Sequence, residues 1–379
     1  MSTISNQIDP SKTPFSSNAV RLSPRQWLAA LAVVGVLAGF TPVAWERIEP
    51  LPAGPDARVP YRLGNDYWAY GRYCRWAAKG SAIVVLGDSV VWGHYVSPQE
   101  SLPACLNKLS GAARFVNLGL DGIHPAAAAG LFEYYGGSIA GKKVVLHCNL
   151  LWMSSKRHDL QTDKEFAFNH PLLVPQFRPR IPCYRESLSG RIGACVGREV
   201  PFLSWLRHVQ IAYFDGSDLP GWMLEHPYDC PAKPVNLRLP SPDEPISPPP
   251  GTEPWTRRHM PRLKADWVEL DGSFQWQSFL RTLDLLKGRG NEVFVVVGPF
   301  NEPMLADASR DVYKLRKQEV HEQLAARQIP HVVAAPLPSE LYADASHPLA
   351  DGYALMALQL SADPAFAEFC GLKATERSR

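Results

Sequence analysis

Two short stretches far apart in this sequence hold the side-chain types that acyl chemistry needs. Ser89 lies in AIVVLGDSVVWG, residues 82–93. Ile83 to Leu86 read as a short buried strand that Gly87 ends, so the serine falls on the turn after it. A residue in that place is exposed at the edge of a rigid sheet, which suits a nucleophile. A serine hydroxyl is a weak nucleophile without a base. His347, in Asp344-Ala345-Ser346-His347, can take its proton and return it to a leaving group. Asp344, three residues earlier, can turn the same way, orient the imidazole and offset the charge it gains. The backbone N–H groups of Ser89 and Gly119 and the side-chain amide of Asn149 can hold an oxyanion. Losing one such donor costs roughly 3–4 kcal/mol of transition-state stabilisation in known cases. Each residue also has a plainer reading. Ser89 can cap the next element, Asp344 the last helix, Gly119 can serve a tight turn, and Asn149 can tie down a loop. The four segments carry weight together, because in an α/β sheet the carboxyl ends of parallel strands share one edge.

The surrounding elements have that rhythm. After the Ser89 strand, Ser97-Pro98-Gln99-Glu100 has the form of a capping box opening a helix through Leu109, with Pro103 able to delay or distort its start. Phe115 to Leu118 form a second strand ending at Gly119, and HPAAAAGLFEYYGG a helix. Val144 to Cys148 form a third strand, followed at once by Asn149. Strand, helix, strand, helix, strand predicts an α/β fold with covered parallel strands. The pattern fails from Ser154 to Trp267, a Pro-rich stretch too long for an ordinary connection. It reads as an insertion decorating the sheet edge near the site, with a helix around Phe202 to Ala212. The pattern resumes with a helix from about Ser273, a buried strand ending at Gly298, the helix SRDVYKLRKQEVHEQLAARQ, the short strand PHVVAAPL, and a turn and helix from Asp344 onward.

The N-terminal part is of another kind. Residues 1–26 are polar and read as a disordered cytoplasmic leader. From Trp27 to Trp45 no residue is charged, which is bilayer length, and a Trp at each end suits the two interfaces. Arg21 and Arg25 before the run favour a cytoplasmic N-terminus. A single-pass anchor is preferred, with a cleaved secretory signal and a buried helix of a soluble protein as rivals. Either of the first two sends the rest of the chain out of the cytosol. Residues 46–80 read as a connector, whose aromatic, mildly basic part can be a helix packed on the domain or pressed to the membrane. Residues 371–379 are a polar tail.

The length is enough for one large folded domain or two small ones. Of 379 residues, 46% are apolar, and 39 basic against 37 acidic residues leave a formal charge of +2, which argues against nucleic acid as partner. The seven cysteines show no CxxC or zinc spacing. Cys183 and Cys195 can pair outside the cytosol or stay free. The chemistry above requires no metal and no cofactor.

The blocks resemble the SGNH or GDSL hydrolase superfamily. Gly87-Asp88-Ser89 matches its first block, Gly119 the second, Asn149 the third and Asp344 to His347 the last, over about Ala82 to Ala367 with the insertion interrupting. One departure is plain: the third block is usually GxND, and here it is His147-Cys148-Asn149-Leu150. The resemblance implies a three-layer α/β/α sandwich with a mostly parallel sheet over residues 81–370, with 154–267 inserted. It implies an esterase, lipase, glycan deacetylase or O-acyltransferase working through acyl-Ser89. The anchor and insertion are similar to envelope-associated branches that modify exported polysaccharides, some with a membrane acyl-donor partner. The reading is a membrane-anchored, extracytoplasmic (periplasmic, in a Gram-negative source) serine esterase or O-acetyltransferase acting on a carbohydrate ester. Two alternatives stay open, a lipase or lysophospholipase and a non-catalytic glycan-binding or assembly protein.

Overall fold

A computed structural model describes residues 22–164, 169–244, 246 and 251–372. Most of the expected leader and of the polar tail lies outside these. The chain divides into two units, residues 1–48 and 49–379. In the first, α1 (Pro24–Ile48) is one helix long and apolar enough to cross a membrane. It starts earlier and ends later than its uncharged run, because Arg25, Gln26 and Glu46 are good helix formers.

The second unit is built on a five-stranded parallel sheet. The strands are β1 (Ile83–Leu86), β2 (Phe115–Asn117), β3 (Lys143–Cys148), β4 (Glu292–Val297) and β5 (His331–Val333), in the order β2-β1-β3-β4-β5. The order reverses between β1 and β3. A crevice forms at such a switch point beyond the carboxyl ends of the strands, because the two connections leave in opposite directions.

Strand side chains alternate between faces, and both faces are covered. Ile83, Val85, Phe115, Val145, Phe294 and Val296 pack with residues of α4 (Leu102–Ser110), α11 (Ala350–Ala362) and α12 (Pro364–Cys370). Leu146 points the other way and shares a small cavity with α5 (Pro125–Tyr134) and α9 (Phe274–Gly288), which pack on each other. Burial on both sides is why β1 and residues 293–297 of β4 are unbroken apolar runs. α3 (Ser89–Trp92) is a single turn directly after β1, and α10 (Asp307–Ala326) links β4 to β5.

One local expectation needs adjustment, and two open readings are resolved. Ser97 to Glu100 do not open the long helix. The Glu100 carboxylate accepts the Ser97 N–H at 3.0 Å, but Pro98–Glu100 form only a 3-10 turn. Ser101 is extended, and α4 starts at Leu102 with Pro103 in its first turn. The aromatic part of the connector is the packed helix: α2 (Tyr67–Lys79) is largely buried in the domain. No disulfide joins Cys183 and Cys195, and Cys195 Sγ instead accepts a hydrogen bond from Arg198 at 3.3 Å.

The insertion carries α6 (Leu188–Glu199), α7 (Pro201–Tyr213) and α8 (Leu219–Glu225) within irregular chain. α7 packs on α2. Other parts of the insertion reach the loops after β2 and before α11, where Arg258 donates to the Ala343 carbonyl at 3.3 Å and Trp255 N–H to that of Tyr342 at 3.1 Å.

Candidate active site

The chain returns from β5 in a turn that aims two side chains. The Ala343 N–H donates to the His347 carbonyl at 2.9 Å, closing residues 343–347. Inside the turn, Asp344 Oδ1 accepts the N–H groups of Ser346 and His347, each at 3.0 Å. A short carboxylate can bond its own backbone two and three residues on, which is what fixes this turn. The buried Asn301, from the loop after β4, braces it by donating to the Asp344 carbonyl at 3.1 Å.

The aspartate and histidine meet the serine. His347 Nδ1 lies 2.8 Å from both Asp344 carboxylate oxygens, and Nε2 lies 2.7 Å from Ser89 Oγ. Their side chains are 13% and 19% exposed, so the relay opens on solvent only at its edge. Burial disfavours charge on the imidazole. The Asp344 carboxylate outweighs that, with smaller help from Asp88 and Asp121, and holds His347 above its usual pKa. Burial likewise opposes charge on Asp344, but His347 and the two N–H groups overcome it and hold the carboxyl far below the usual range. Nδ1–H donates to the carboxylate, so Nε2 carries the lone pair and can accept the serine proton.

Asp88 has a larger part than a turn residue. Oδ1 accepts the Val90 N–H at 3.1 Å and caps α3, while Oδ2 accepts Asn149 Nδ2 and Trp152 Nε1, each at 2.8 Å. His147 Nδ1 stands 3.5 Å from Oδ1, and His147 Nε2 lies 2.9 Å from the Gly298 carbonyl. Burial works against the Asp88 charge, yet His147, His347 and Trp152 outweigh it and lower its pKa. Asp88 thus joins the ends of β1 and β3 beneath the serine. Leu146 lines the apolar cavity of about 40 Å³ that Asp88, Asn149 and Trp152 border.

The three expected oxyanion donors are not equivalent. Ser89 N–H is the first in α3, where helix geometry gives it no intrahelical acceptor. One hydrogen of the Asn149 amide is used by Asp88, which leaves the second. The Gly119 N–H donates to Asn117 Oδ1 at 2.9 Å and can reach an oxyanion only by sharing its hydrogen. What requires glycine at 119 is closeness. A Cβ there would lie 2.6 Å from the Trp92 nitrogen and 2.9 Å from Val91 Cβ.

Sequence reasoning did not single out several neighbours of the site. Tyr95 donates its phenol hydrogen to Asp344 Oδ2 at 3.1 Å. His94 lies beside it, with its ring centroid 5.8 Å from that of His347. Arg58 holds their loop through the carbonyls of Trp92, Gly93 and Val96 and stacks on the Trp92 ring at 3.6 Å. Gly93 turns the loop with φ at 87°, so the glycine just after VVW was the one available signal.

No protein-family model matches the sequence, and no match is found among curated proteins.

Proposed function

We propose that this chain is a serine-dependent esterase or O-acyltransferase of the SGNH or GDSL type, on a three-layer α/β/α scaffold. The observation that carries the reading is the unbroken relay of Asp344, His347 and Ser89, with contacts of 2.8 and 2.7 Å at the carboxyl edge of a parallel sheet. Ser89 Oγ attacks an ester carbonyl as His347 Nε2 takes its proton. The tetrahedral oxyanion is met by the Ser89 N–H and the second Asn149 hydrogen, and His347 then protonates the departing alkoxide. Water or a sugar hydroxyl takes the acyl group from Ser89 by the reverse sequence. No step in this reading calls on a metal or cofactor.

The acyl group in this reading is acetyl. The substrate is a carbohydrate ester, and α1 anchors the domain outside the cytosol, the basic residues before its uncharged run staying inside.

The test uses the full chain in detergent with an aryl acetate. Intact-mass measurement after rapid quenching is expected to find an acetyl adduct on Ser89. Ser89→Ala should fold normally and lose both adduct and turnover. Turnover equal to that of the wild type in this variant would overturn the reading.

A further inference from the structure

A second imidazole and carboxylate pair stands beside the relay. His94 Nδ1 lies 2.7 Å from Asp121 Oδ1, with side chains 25% and 17% exposed. The two residues come from different loops, each held at the site. The His94 N–H donates to the Ser89 carbonyl at 3.1 Å, and Arg58 grips the carbonyls on either side. The Asp121 loop follows β2. Leu120 N–H ties it to the Gly87 carbonyl at 3.1 Å, and His170 Nε2 lies 3.3 Å from the Asp121 carbonyl. The pairing fixes the His94 tautomer: Nδ1–H donates to the carboxylate, and Nε2 is left with a lone pair. The proton relay of Ser89 does not use this nitrogen, although its ring is 5.8 Å from the His347 ring.

We propose that His94, oriented by Asp121, is an acceptor-positioning residue that selects vicinal diols, the hydroxyl pattern of sugars, as acyl acceptors. The inference rests on the acyl-Ser89 reading above. One hydroxyl oxygen of the diol attacks the acyl carbon. Its C–O bond forms, the bond from that carbon to Ser89 Oγ breaks, and the hydroxyl proton passes through His347 Nε2 to Ser89 Oγ. The adjacent hydroxyl donates a hydrogen bond to His94 Nε2 and keeps its proton. A monohydric alcohol can satisfy only one of the two imidazoles. The discrimination is one hydrogen bond, made or absent.

The test is a competition on the full chain in detergent, with p-nitrophenyl acetate as donor and equal concentrations of 1,2-propanediol and 1-propanol as acceptors. The ratio of the two acetate products is read by gas chromatography, with acyl-Ser89 followed by intact mass. The wild type should favour the diol by about fivefold, the worth of roughly one hydrogen bond. His94→Phe should bring the ratio to that of the two alcohols in chemical acetylation. Asp121→Asn, which keeps the ring and loses its orientation, should lie between, and it decides the matter if His94→Phe does not fold. Loss of packing alone would slow both products equally and leave the ratio alone. A wild type that forms acyl-Ser89 without a diol preference, or variants that keep it, overturns the proposal while leaving the esterase reading intact. A wild type that forms no acyl-Ser89 overturns the esterase reading, and this proposal with it.

Discussion

Tyr95 donates its phenol hydrogen to Oδ2 of Asp344, the carboxylate that orients His347, at 3.1 Å. The two residues are 249 positions apart. The bond stabilises the carboxylate and also withdraws part of its field from the imidazole. Burial, then the Asp344 charge, raises the pKa of the phenol, so it remains a donor at ordinary pH. Tyr95→Phe should therefore strengthen the pull of Asp344 on the His347 proton. The acidic limb of kcat/KM should move to higher pH by about half a unit to one unit, the equivalent of about 1 kcal/mol. A limb that stays in place or moves to lower pH would show that Tyr95 only packs against the relay.

Asp344 has the opposite effect. His347 must be neutral to accept the serine proton, and its raised pKa places the acidic limb of the wild type above the usual imidazole value. Asp344→Asn removes the main charge that holds it there. The limb should fall toward lower pH while kcat drops about 10⁴-fold, as it does when a relay of this kind loses its orienting carboxylate. The pH profile of residual turnover checks both parts. A large rate loss with no movement of the limb would mean that the carboxylate orients the ring without tuning it.

The strands and the relay are legible in the sequence for one reason: both depend on local patterns. Residues 83–86 and 293–297 are apolar runs because the sheet is covered on both faces, and Ser89, Asn149, Asp344 and His347 each sit beside a strand end or turn residue. The expectation that the serine meets the late turn needs only parallel strands, and the pairings have that sense. What is not legible depends on long-range partners. Nothing near Asp88 says that Asn149 and Trp152 converge on its carboxylate. Asp121 and His94 come from separate loops, and only the fold makes them a pair.

Gly119 offers a test of packing separate from chemistry. A methyl group there meets the backbone nitrogen of Trp92 and the side chain of Val91, both in the turn of helix that begins with Ser89. Backbone cannot swing aside as a flexible side chain can. Gly119→Ala should cost about 1–3 kcal/mol in urea unfolding, in the range of overpacked cores, and should lower kcat by displacing Ser89 from His347. Full stability and full activity together would show that the loop after β2 yields instead.

The domain carries a second cluster of buried charge, away from the relay, where α7 of the insertion meets α2. His208 Nδ1 lies 2.6 Å from Asp66 Oδ2 and Nε2 lies 3.0 Å from Glu49 Oε1. Glu49 also pairs with Arg72 and accepts the Tyr213 hydroxyl. Burial alone would push the imidazole toward neutrality, but the two carboxylates outweigh it and raise its pKa to about 9. A group whose pKa is higher folded than unfolded adds stability that is complete below the unfolded value, near 6.5, and is lost as pH rises through the folded one. The contribution is on the order of 3 kcal/mol. Urea midpoints of the wild type should fall between about pH 6.5 and 9.5 on this account. His208→Gln should be less stable than the wild type at pH 6, with a shallower decline, so that the two curves draw together at high pH. Curves that run parallel across the range would mean that the imidazole is neutral in the folded protein and that α7 is held to α2 by packing rather than by charge.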